Sequence, residues 1–231
     1  MFCDLHKIFQ YITSDLIKII TGIRRCGKSV ILEQIMQEIG QKTDNIIYLN
    51  FEDRRISANI ADEDALLSYV ENHRKAGKCY LFFDEVQILD GWQNVCKTLR
   101  LYDYSLFITG SNSKLLSGEF TKELSGRYVA FRVRPFVYKE ITTYAEELGK
   151  EISVTDYLVW GGFPKRFEFD SPEAQRRYLN DLDDTIIIND LMHRYHIRKE
   201  NLFKNLVNYV LRSNSRIFSA KSIHDHIKKG A

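Results

Sequence analysis

The chain has 231 residues, of which 44% are hydrophobic and 13% aromatic, and its formal net charge at pH 7 is +2. With only three prolines and no low-complexity tract, this composition excludes a disordered or fibrous protein and indicates a globular one with a substantial core. The sequence shows no signal-peptide pattern, and no apolar run approaches the roughly 20 residues that span a bilayer. We therefore predict a cytoplasmic protein with no membrane partner.

The first predicted elements are a short helix within residues 1 to 14 and an apolar strand that begins at Leu16. The strand leads directly into a segment that fits G-x-x-x-x-G-K-[ST], composed of Gly22, Ile23, Arg24, Arg25, Cys26, Gly27, Lys28 and Ser29. In such a loop the backbone N–H groups surround polyphosphate oxygens, and the two glycines permit the conformation and the close approach. We therefore predict an ATP-binding phosphate loop that includes Val30, with Lys28 on the terminal phosphates and the Ser29 hydroxyl on Mg²⁺.

A helix is predicted after the loop, because isoleucines recur at helical spacing from Ile31 to Ile39 and Gly40 is a stop signal. The positive end of this helix points at the same anion, and the N-terminal helix could cover the adenine side of the site. A second strand is predicted over residues 46 to 51. We interpret Glu52 and Asp53, which follow it, as part of a solvated loop in preference to a nucleotide contact.

A third strand, Cys79 to Phe83, ends in two carboxylates and has the form of a Walker B segment. A predicted helix over residues 62 to 76 separates it from the second strand. We expect Asp84 to lie beside Mg²⁺ and Glu85 to polarise an attacking water. Small-molecule kinases need no such glutamate directly after the metal-binding aspartate, so the pair favours a hydrolytic ATPase.

A further helix carries Trp92, Val95, Cys96 and Leu99 on its core face, with Asp90 as the predicted N-cap. The fourth strand, residues 105 to 109, ends in the polar segment Gly110-Ser111-Asn112-Ser113. Ser111 or Asn112 is our candidate for a residue that contacts the γ-phosphate or its water. The alternative is that one of them caps a helix that begins near Lys114.

A fifth strand is predicted over residues 128 to 134, and Arg127 immediately precedes it after a glycine-containing turn. This arginine could supply positive charge to the transition state, in its own subunit or in that of a neighbour. The second case would imply self-association. An ordinary surface ion pair is the alternative, and the sequence does not decide between them.

The parallel-sheet domain is predicted to occupy residues 1 to 150, closing with a helix whose Ile141, Tyr144, Ala145 and Leu148 face inward. Residues 151 to 231 read as a mainly helical domain, in which Ser171 and Pro172 open a long helix. The end of the chain is basic: Arg194, Arg198, Lys199, Lys204, Arg212, Arg216, Lys221, Lys228 and Lys229 stand against Glu200 and Asp225. This pattern indicates a solvated helical face or a contact with DNA or an acidic protein partner.

With these segments in place, the chain resembles the prokaryotic AAA-type ATPases, ATP-binding proteins that pair an ATPase domain with a C-terminal domain of unknown function. The landmarks that carry the resemblance are ITGIRRCGKS, YLNFED, LFFDEVQ, FITGSNSKLL, SGR, RPF and GGFP, in that order. The resemblance implies Lys28 and Ser29 on phosphate and Mg²⁺, Asp84 and Glu85 as the Walker B pair, and a sensor at Ser111 or Asn112. It also implies that most of the family's C-terminal domain lies outside this chain, whose last helices could be the start of a winged-helix segment.

The predicted fold is therefore α/β: a P-loop NTPase of the additional-strand division, with a parallel five-stranded sheet flanked by helices and a small helical region after it. The predicted function is Mg²⁺-dependent ATP hydrolysis coupled to conformational change in the C-terminal helical region. One alternative is a nucleotide-gated nucleic-acid-binding module, motivated by the basic end of the chain. Another is a phosphotransferase, although the sequence offers no acceptor signature.

Overall fold

A computed structural model describes residues 2–111, 124–186, 191–192, 195–213 and 219–229. A parallel five-stranded sheet of order β2-β3-β4-β1-β5 forms its centre. The strands are β1 (Ile17–Gly22), β2 (Ile46–Asn50), β3 (Cys79–Asp84), β4 (Tyr104–Ser111) and β5 (Tyr128–Val133). Every neighbouring pair is parallel, so all five strands end at the same edge of the sheet. This arrangement confirms the predicted fold class.

The helices connect and cover these strands. They are α1 (Phe2–Phe9), α2 (Lys28–Gly40), α3 (Arg54–Asn59), α4 (Glu63–His73), α5 (Trp92–Arg100), α6 (Tyr138–Glu147), α7 (Val154–Trp160), α8 (Pro172–Thr185), α9 (Glu200–Arg212) and α10 (Ala220–Lys229). Short 3₁₀ helices occupy Val86–Ile88 and Pro164–Glu168. Within the described ranges, no helix is both long and apolar enough to cross a membrane.

Both faces of the sheet are buried, which is why the strands read as nearly continuous apolar runs. On one face, Ile17 and Ile19 of β1 belong to a core cluster that includes residues of α4 and α5. On the other face, Ile20 belongs to a cluster that includes Ile8 of α1 and Ile31 of α2. The phosphate loop between β1 and α2 is therefore attached to a strand that is buried along its whole length and to a helix packed directly on it.

The segment after β5 packs into a third cluster, formed by Phe136, Ile141, Ala145 and Phe167. A backbone hydrogen bond ties residues 161–162 to this cluster: Phe136 N donates to Gly162 O at 2.9 Å. A Cβ on Gly162 would overlap with the carbonyl oxygen of Phe136, so only glycine fits there. The chain accordingly divides into compact units of residues 1–169 and 170–231, and the segment 151–169 belongs to the first of them.

Local capping explains where the structure departs from the predicted helix boundaries. The N-cap of α5 is Gly91, with φ 74° and no side-chain hydrogen bond, so the prediction of Asp90 as the cap was wrong. Leu148, predicted to face inward from α6, is exposed, because the helix ends at Glu147. By contrast, Ser171 caps α8 as predicted, its side chain accepting from Ala174 N.

A lysine, Lys18, lies fully buried near the start of β1. Lys18 Nζ donates to Ser14 O at 2.9 Å and to Ser105 Oγ at 2.8 Å, and it lies 4.8 Å from the centroid of the Phe107 ring. Burial, assisted by the charge of Lys78, lowers the pKa of Lys18 from 10.5 to about 7. At pH values between about 7 and 10.5, the Lys18 amine is therefore protonated in the unfolded chain and neutral in the folded chain.

The stability of the protein should consequently rise with pH between about 7 and 10.5. The contribution of Lys18 to this slope approaches about 1.4 kcal/mol per pH unit, because one proton is released on folding. We expect Lys18→Met to remove the slope and to be most favourable, relative to wild type, at pH 7 and below. Urea unfolding from pH 6 to 10 checks this, with Lys42→Met at an exposed position as the matched control. Parallel curves for Lys18→Met and wild type would contradict it.

Candidate nucleotide-binding site

The loop between β1 and α2 has the geometry that its sequence predicts. Gly27 has φ 101°, in the left-handed region that favours glycine. A Cβ on Gly22 would lie 2.5 Å from Val133 O and 2.6 Å from Cys26 Sγ, so the first glycine is needed for close packing. Cys26 itself is buried in the core, and this burial raises the pKa of its thiol. Because the Cys26 side chain packs in the core, only its backbone faces the phosphate loop.

Lys28 opens α2 and is only 6% exposed. Its Nζ donates to two carbonyl oxygens of the loop, Gly22 O at 3.3 Å and Ile23 O at 3.4 Å. It also lies 3.7 Å from Glu85 Oε1. The ammonium group is thus held within the loop and next to the acidic end of β3.

Two hydroxyl groups orient the carboxylate of Asp84, which is 1% exposed at the end of β3. Thr109 Oγ1 donates to Oδ1, and Tyr48 OH donates to Oδ2 at 3.3 Å. Thr109 Oγ1 also accepts from Glu85 N at 3.1 Å. Burial, followed by the charge of Asp84, raises the pKa of Tyr48 to about 12, so Tyr48 stays a donor at neutral pH.

Glu85 adopts an unusual backbone conformation for a residue with a side chain, with φ 51°. Its carboxylate accepts from Gln87 Nε2 and faces Lys28. Backbone strain of this kind occurs where the surrounding structure requires it, often at functional sites. Here it turns the glutamate away from the line of β3, towards the phosphate loop.

Lys28 and Glu85 border a cavity of about 430 Å³ within the first compact unit. It is lined by Arg24, Arg25, Gly27, Lys28, Ser29 and Val30 of the loop, by Glu52 and Glu85, and by Phe136, Tyr144, Pro164, Lys165 and Glu168. Glu52, interpreted from the sequence as part of a solvated loop, therefore faces the cavity. The sequence analysis also did not predict that residues within 136–168 line this cavity, because nothing in their spacing relates them to the phosphate loop.

The remaining predicted site residues lie in different places. Ser111 ends β4 and is paired in register with Gly22, at the correct edge of the sheet, and Asn112 lies outside the described residues. Arg127 is exposed before β5, where its carbonyl accepts from Ile17 N at 3.0 Å. Ile17 begins β1 and the loop follows its other end, roughly 17 Å away at 3.3 Å per residue. The fold does not bring Arg127 to the site of its own chain.

Ser29 and Asp84 together suit Mg²⁺. A hydroxyl and a carboxylate are hard oxygen donors, and Mg²⁺ typically takes one or two protein ligands in addition to water and substrate phosphates. Among the residues that the structure describes, no group of three or more His, Cys, Asp or Glu side chains could hold a metal ion. A sparse site shared with phosphate is the arrangement that these side chains fit.

A parallel sheet with a glycine-bearing loop between β1 and α2, and an acidic pair at the end of β3, defines a P-loop nucleotide-binding protein. More specifically, residues 14–142 match a family model described as an AAA domain, and the chain belongs to this family. It is 33% identical over 214 residues to an uncharacterized protein of Haemophilus influenzae, covering 88% of this chain and 53% of that protein. It is 32% identical over 224 residues to the uncharacterized protein MJ1544 of Methanocaldococcus jannaschii, covering 92% and 50%. The chain thus spans about half the length of these relatives.

Solved structures of similar fold include AMPPCP-bound DnaA from Aquifex aeolicus, with a TM-score of 0.53 and 14% identity. That comparison covers 97% of this chain and 85% of DnaA. A second is the replication initiator DnaA bound to AMPPCP and single-stranded DNA, with a TM-score of 0.53, 16% identity and coverage of 98% and 82%. At this level of identity the likeness establishes the fold, and the chemistry must come from the residues of this chain.

Proposed function

We propose that this protein binds Mg-ATP and hydrolyses it, and that the nucleotide state alters the helical region that follows. The observation that supports this most strongly is the convergence of Lys28, Asp84 and Glu85 at one edge of the sheet, where Lys28 and Glu85 line a single cavity. Lys28 supplies positive charge for the phosphates. A bound Mg²⁺ would supply charge neutralisation, held by Ser29 and Asp84.

Nucleotide binding would rearrange the contacts of Lys28. Its ammonium now donates to the Gly22 and Ile23 carbonyls and faces Glu85. Phosphate oxygens are stronger acceptors for an ammonium than neutral carbonyls are, so Lys28 would turn to them. Glu85 would then be released to accept a proton from water. ATP binding itself thereby prepares the carboxylate for hydrolysis.

The proposed coupling to the helical region begins at residues 164–168. Lys165 and Glu168 form an ion pair of 2.7 Å and both line the cavity. The same 3₁₀ helix is anchored through Gly162 to Phe136, another residue of the lining. A phosphate that attracted Lys165 away from Glu168 would therefore act on the segment that immediately precedes the second compact unit in sequence.

The direct test is phosphate release by the purified chain from ATP and from GTP, with Mg²⁺ and with EDTA. We expect Mg²⁺-dependent turnover and saturable ATP binding. Binding without turnover would leave a nucleotide-dependent switch and would count against hydrolysis by this chain alone. Absence of ATP binding in the presence of Mg²⁺ would refute the proposal.

Arg127 is a candidate for completing the site of a neighbouring copy, because it lies far from the site of its own chain and is exposed. We expect Arg127→Ala and Glu85→Gln each to turn over ATP far more slowly than wild type, and a mixture of the two to regain turnover if one copy supplies the arginine and another the glutamate. Turnover should increase more than linearly with protein concentration. Arg74→Ala, at an exposed arginine that precedes β3, is the matched control. A mixture that stays inactive would remove the support for a shared site.

A nucleotide-gated nucleic-acid-binding module is the second candidate. In the second compact unit, Arg198, Lys199, Arg212 and Lys221 are exposed, whereas Lys204 is held by Asp184 and Glu200. Exposed cations of this kind bind phosphate backbones with a steep dependence on salt. Fluorescence anisotropy with labelled DNA at 50 and 200 mM salt, with and without ATP, tests this. No binding at 50 mM salt would exclude it.

A further inference from the structure

The edge strand β2 has a polar face that extends the site. Side chains alternate along a strand, and Ile47, Leu49 and Phe51 point into the core cluster that includes residues of α4 and α5. Tyr48 and Asn50 therefore point to the opposite face of the sheet, on which α2 packs. Tyr48 reaches Asp84 from this face, as its hydrogen bond to Oδ2 shows. Glu52 lies in the turn directly after the strand and lines the cavity.

The backbone around Glu52 is fixed to the Walker B segment. Phe51 N donates to Asp84 O at 3.0 Å, and the Phe51 ring packs edge-on against Phe83 with centroids 6.0 Å apart. Glu52 N donates to Asn50 Oδ1 at 2.9 Å, which tightens the turn. These contacts hold the main chain of Glu52 beside Asp84, and its side chain lines the cavity shared with Lys28 and Ser29.

The next carboxylate in the chain has a different, structural role. Asp53 caps α3 by accepting from Arg55 N at 2.9 Å, and it forms an ion pair of 2.7 Å with Arg55. No comparable hydrogen bond or ion pair engages the Glu52 carboxylate within the described part of the chain. Of the two adjacent acidic residues, only Glu52 is directed at the cavity.

We propose that Glu52 is a second catalytic carboxylate, which with Glu85 polarises the water that attacks ATP. This inference rests on the proposed ATP hydrolysis. Glu85 is shared between Lys28 and Gln87 in this structure, whereas Glu52 can accept a hydrogen bond from water without giving up a protein contact. Two carboxylates at the ends of neighbouring strands can also orient a water, each accepting a hydrogen bond from one of its O–H groups.

The proposed step forms one bond to the γ-phosphorus and breaks one. The water oxygen forms a bond to the γ-phosphorus, and the bond between that phosphorus and the β–γ bridging oxygen breaks, with its electron pair leaving on ADP. One water proton passes to a glutamate carboxylate and from there to solvent. The second stays on the phosphate or is accepted by the other carboxylate. ADP and inorganic phosphate are the products.

The test compares Glu52→Gln with Asp53→Asn, the adjacent carboxylate that does not face the cavity. We expect Glu52→Gln to lower kcat about tenfold or more, since positioned general bases contribute roughly 10²- to 10⁴-fold and this role is shared. We expect its dissociation constant for ATP, measured with a fluorescent analogue in Mg²⁺ and in EDTA, to stay within twofold of wild type. Glu52→Asp should recover part of the rate. Asp53→Asn should keep wild-type kcat and be less stable.

Three outcomes would overturn the inference. The first is a kcat for Glu52→Gln equal to that of Asp53→Asn. The second is a loss of ATP affinity that appears only with Mg²⁺, because Glu52 would then act on the metal. The third is a double variant with Glu85→Gln that is slower by the full product of the two single effects, since residues that act as a unit are not additive. If wild type itself showed no turnover, the proposed hydrolysis would fail instead, which separates the two results.

Discussion

Lys28→Ala is expected to weaken ATP binding by at least 100-fold. The ammonium of Lys28 is buried inside the phosphate loop, where it donates to Gly22 O and Ile23 O. A charge-assisted hydrogen bond contributes about 1.5–3 kcal/mol, and two such bonds to phosphate oxygens exceed the roughly 2.7 kcal/mol that corresponds to 100-fold. Fluorescent ATP-analogue titration in Mg²⁺ measures the change.

Controls are needed for this variant because Lys28 is also buried. Its truncation would remove two hydrogen bonds to the loop and leave Glu85 without its ion pair. Lys28→Met keeps most of the aliphatic stem and should lose binding equally, whereas Lys42→Ala, at an exposed position, should not. Thermal unfolding of all three separates loss of the site from loss of the fold. Near-normal affinity in a folded Lys28→Met protein would refute the assignment of the loop.

The elements that sequence reasoning predicted best are those in which local chemistry dictates the pattern. The phosphate loop requires Gly22 for close packing and Gly27 for its positive φ, and both requirements are visible as letters at a fixed spacing. The strand before Asp84 is buried on both faces, so it reads as an unbroken apolar run. These features depend on neighbours in the sequence and need no knowledge of the tertiary fold.

The residues that were missed acquire their role from strand order. Tyr48 and Thr109 orient Asp84 because β2 and β4 flank β3, and Glu52 reaches the cavity for the same reason. The available signal for Thr109 was a hydroxyl group near the carboxyl end of β4, the strand that pairs with β3. It could be used only once the order of the sheet was known.

The first compact unit extends to residue 169, whereas the sheet domain was predicted to end at residue 150, for a related reason. The stretch Gly161-Gly162-Phe163-Pro164 reads as a turn between helices, whereas in the fold Gly162 is the contact that ties residues 151–169 to Phe136. A glycine required by a distant carbonyl has no local signature. For the same reason, the sequence did not predict that residues after Gly162, including Lys165 and Glu168, line the cavity.

Glu85→Gln is expected to lower the rate of ATP hydrolysis by about 100-fold or more, within the range of roughly 10²–10⁴ for loss of a general base, while ATP binding is retained. The glutamine keeps the size of the side chain and an acceptor oxygen for Gln87 Nε2. It cannot take a proton from water. It also removes the negative charge that faces Lys28 at 3.7 Å and competes with phosphate, so the affinity for ATP should be equal to that of wild type or higher.

Single-turnover hydrolysis and ATP-analogue titration on the same samples measure the two effects separately, with Glu146→Gln, at an exposed position on α6, as the matched control. A fall in affinity parallel to the fall in rate would show that Glu85 maintains the strained turn after β3 and takes no part in proton transfer. Unchanged hydrolysis would transfer that role to Glu52, the other carboxylate that lines the cavity. Tight binding with stalled hydrolysis is the result that we expect, because in the proposed mechanism the groups that hold ATP and the group that activates water are different side chains.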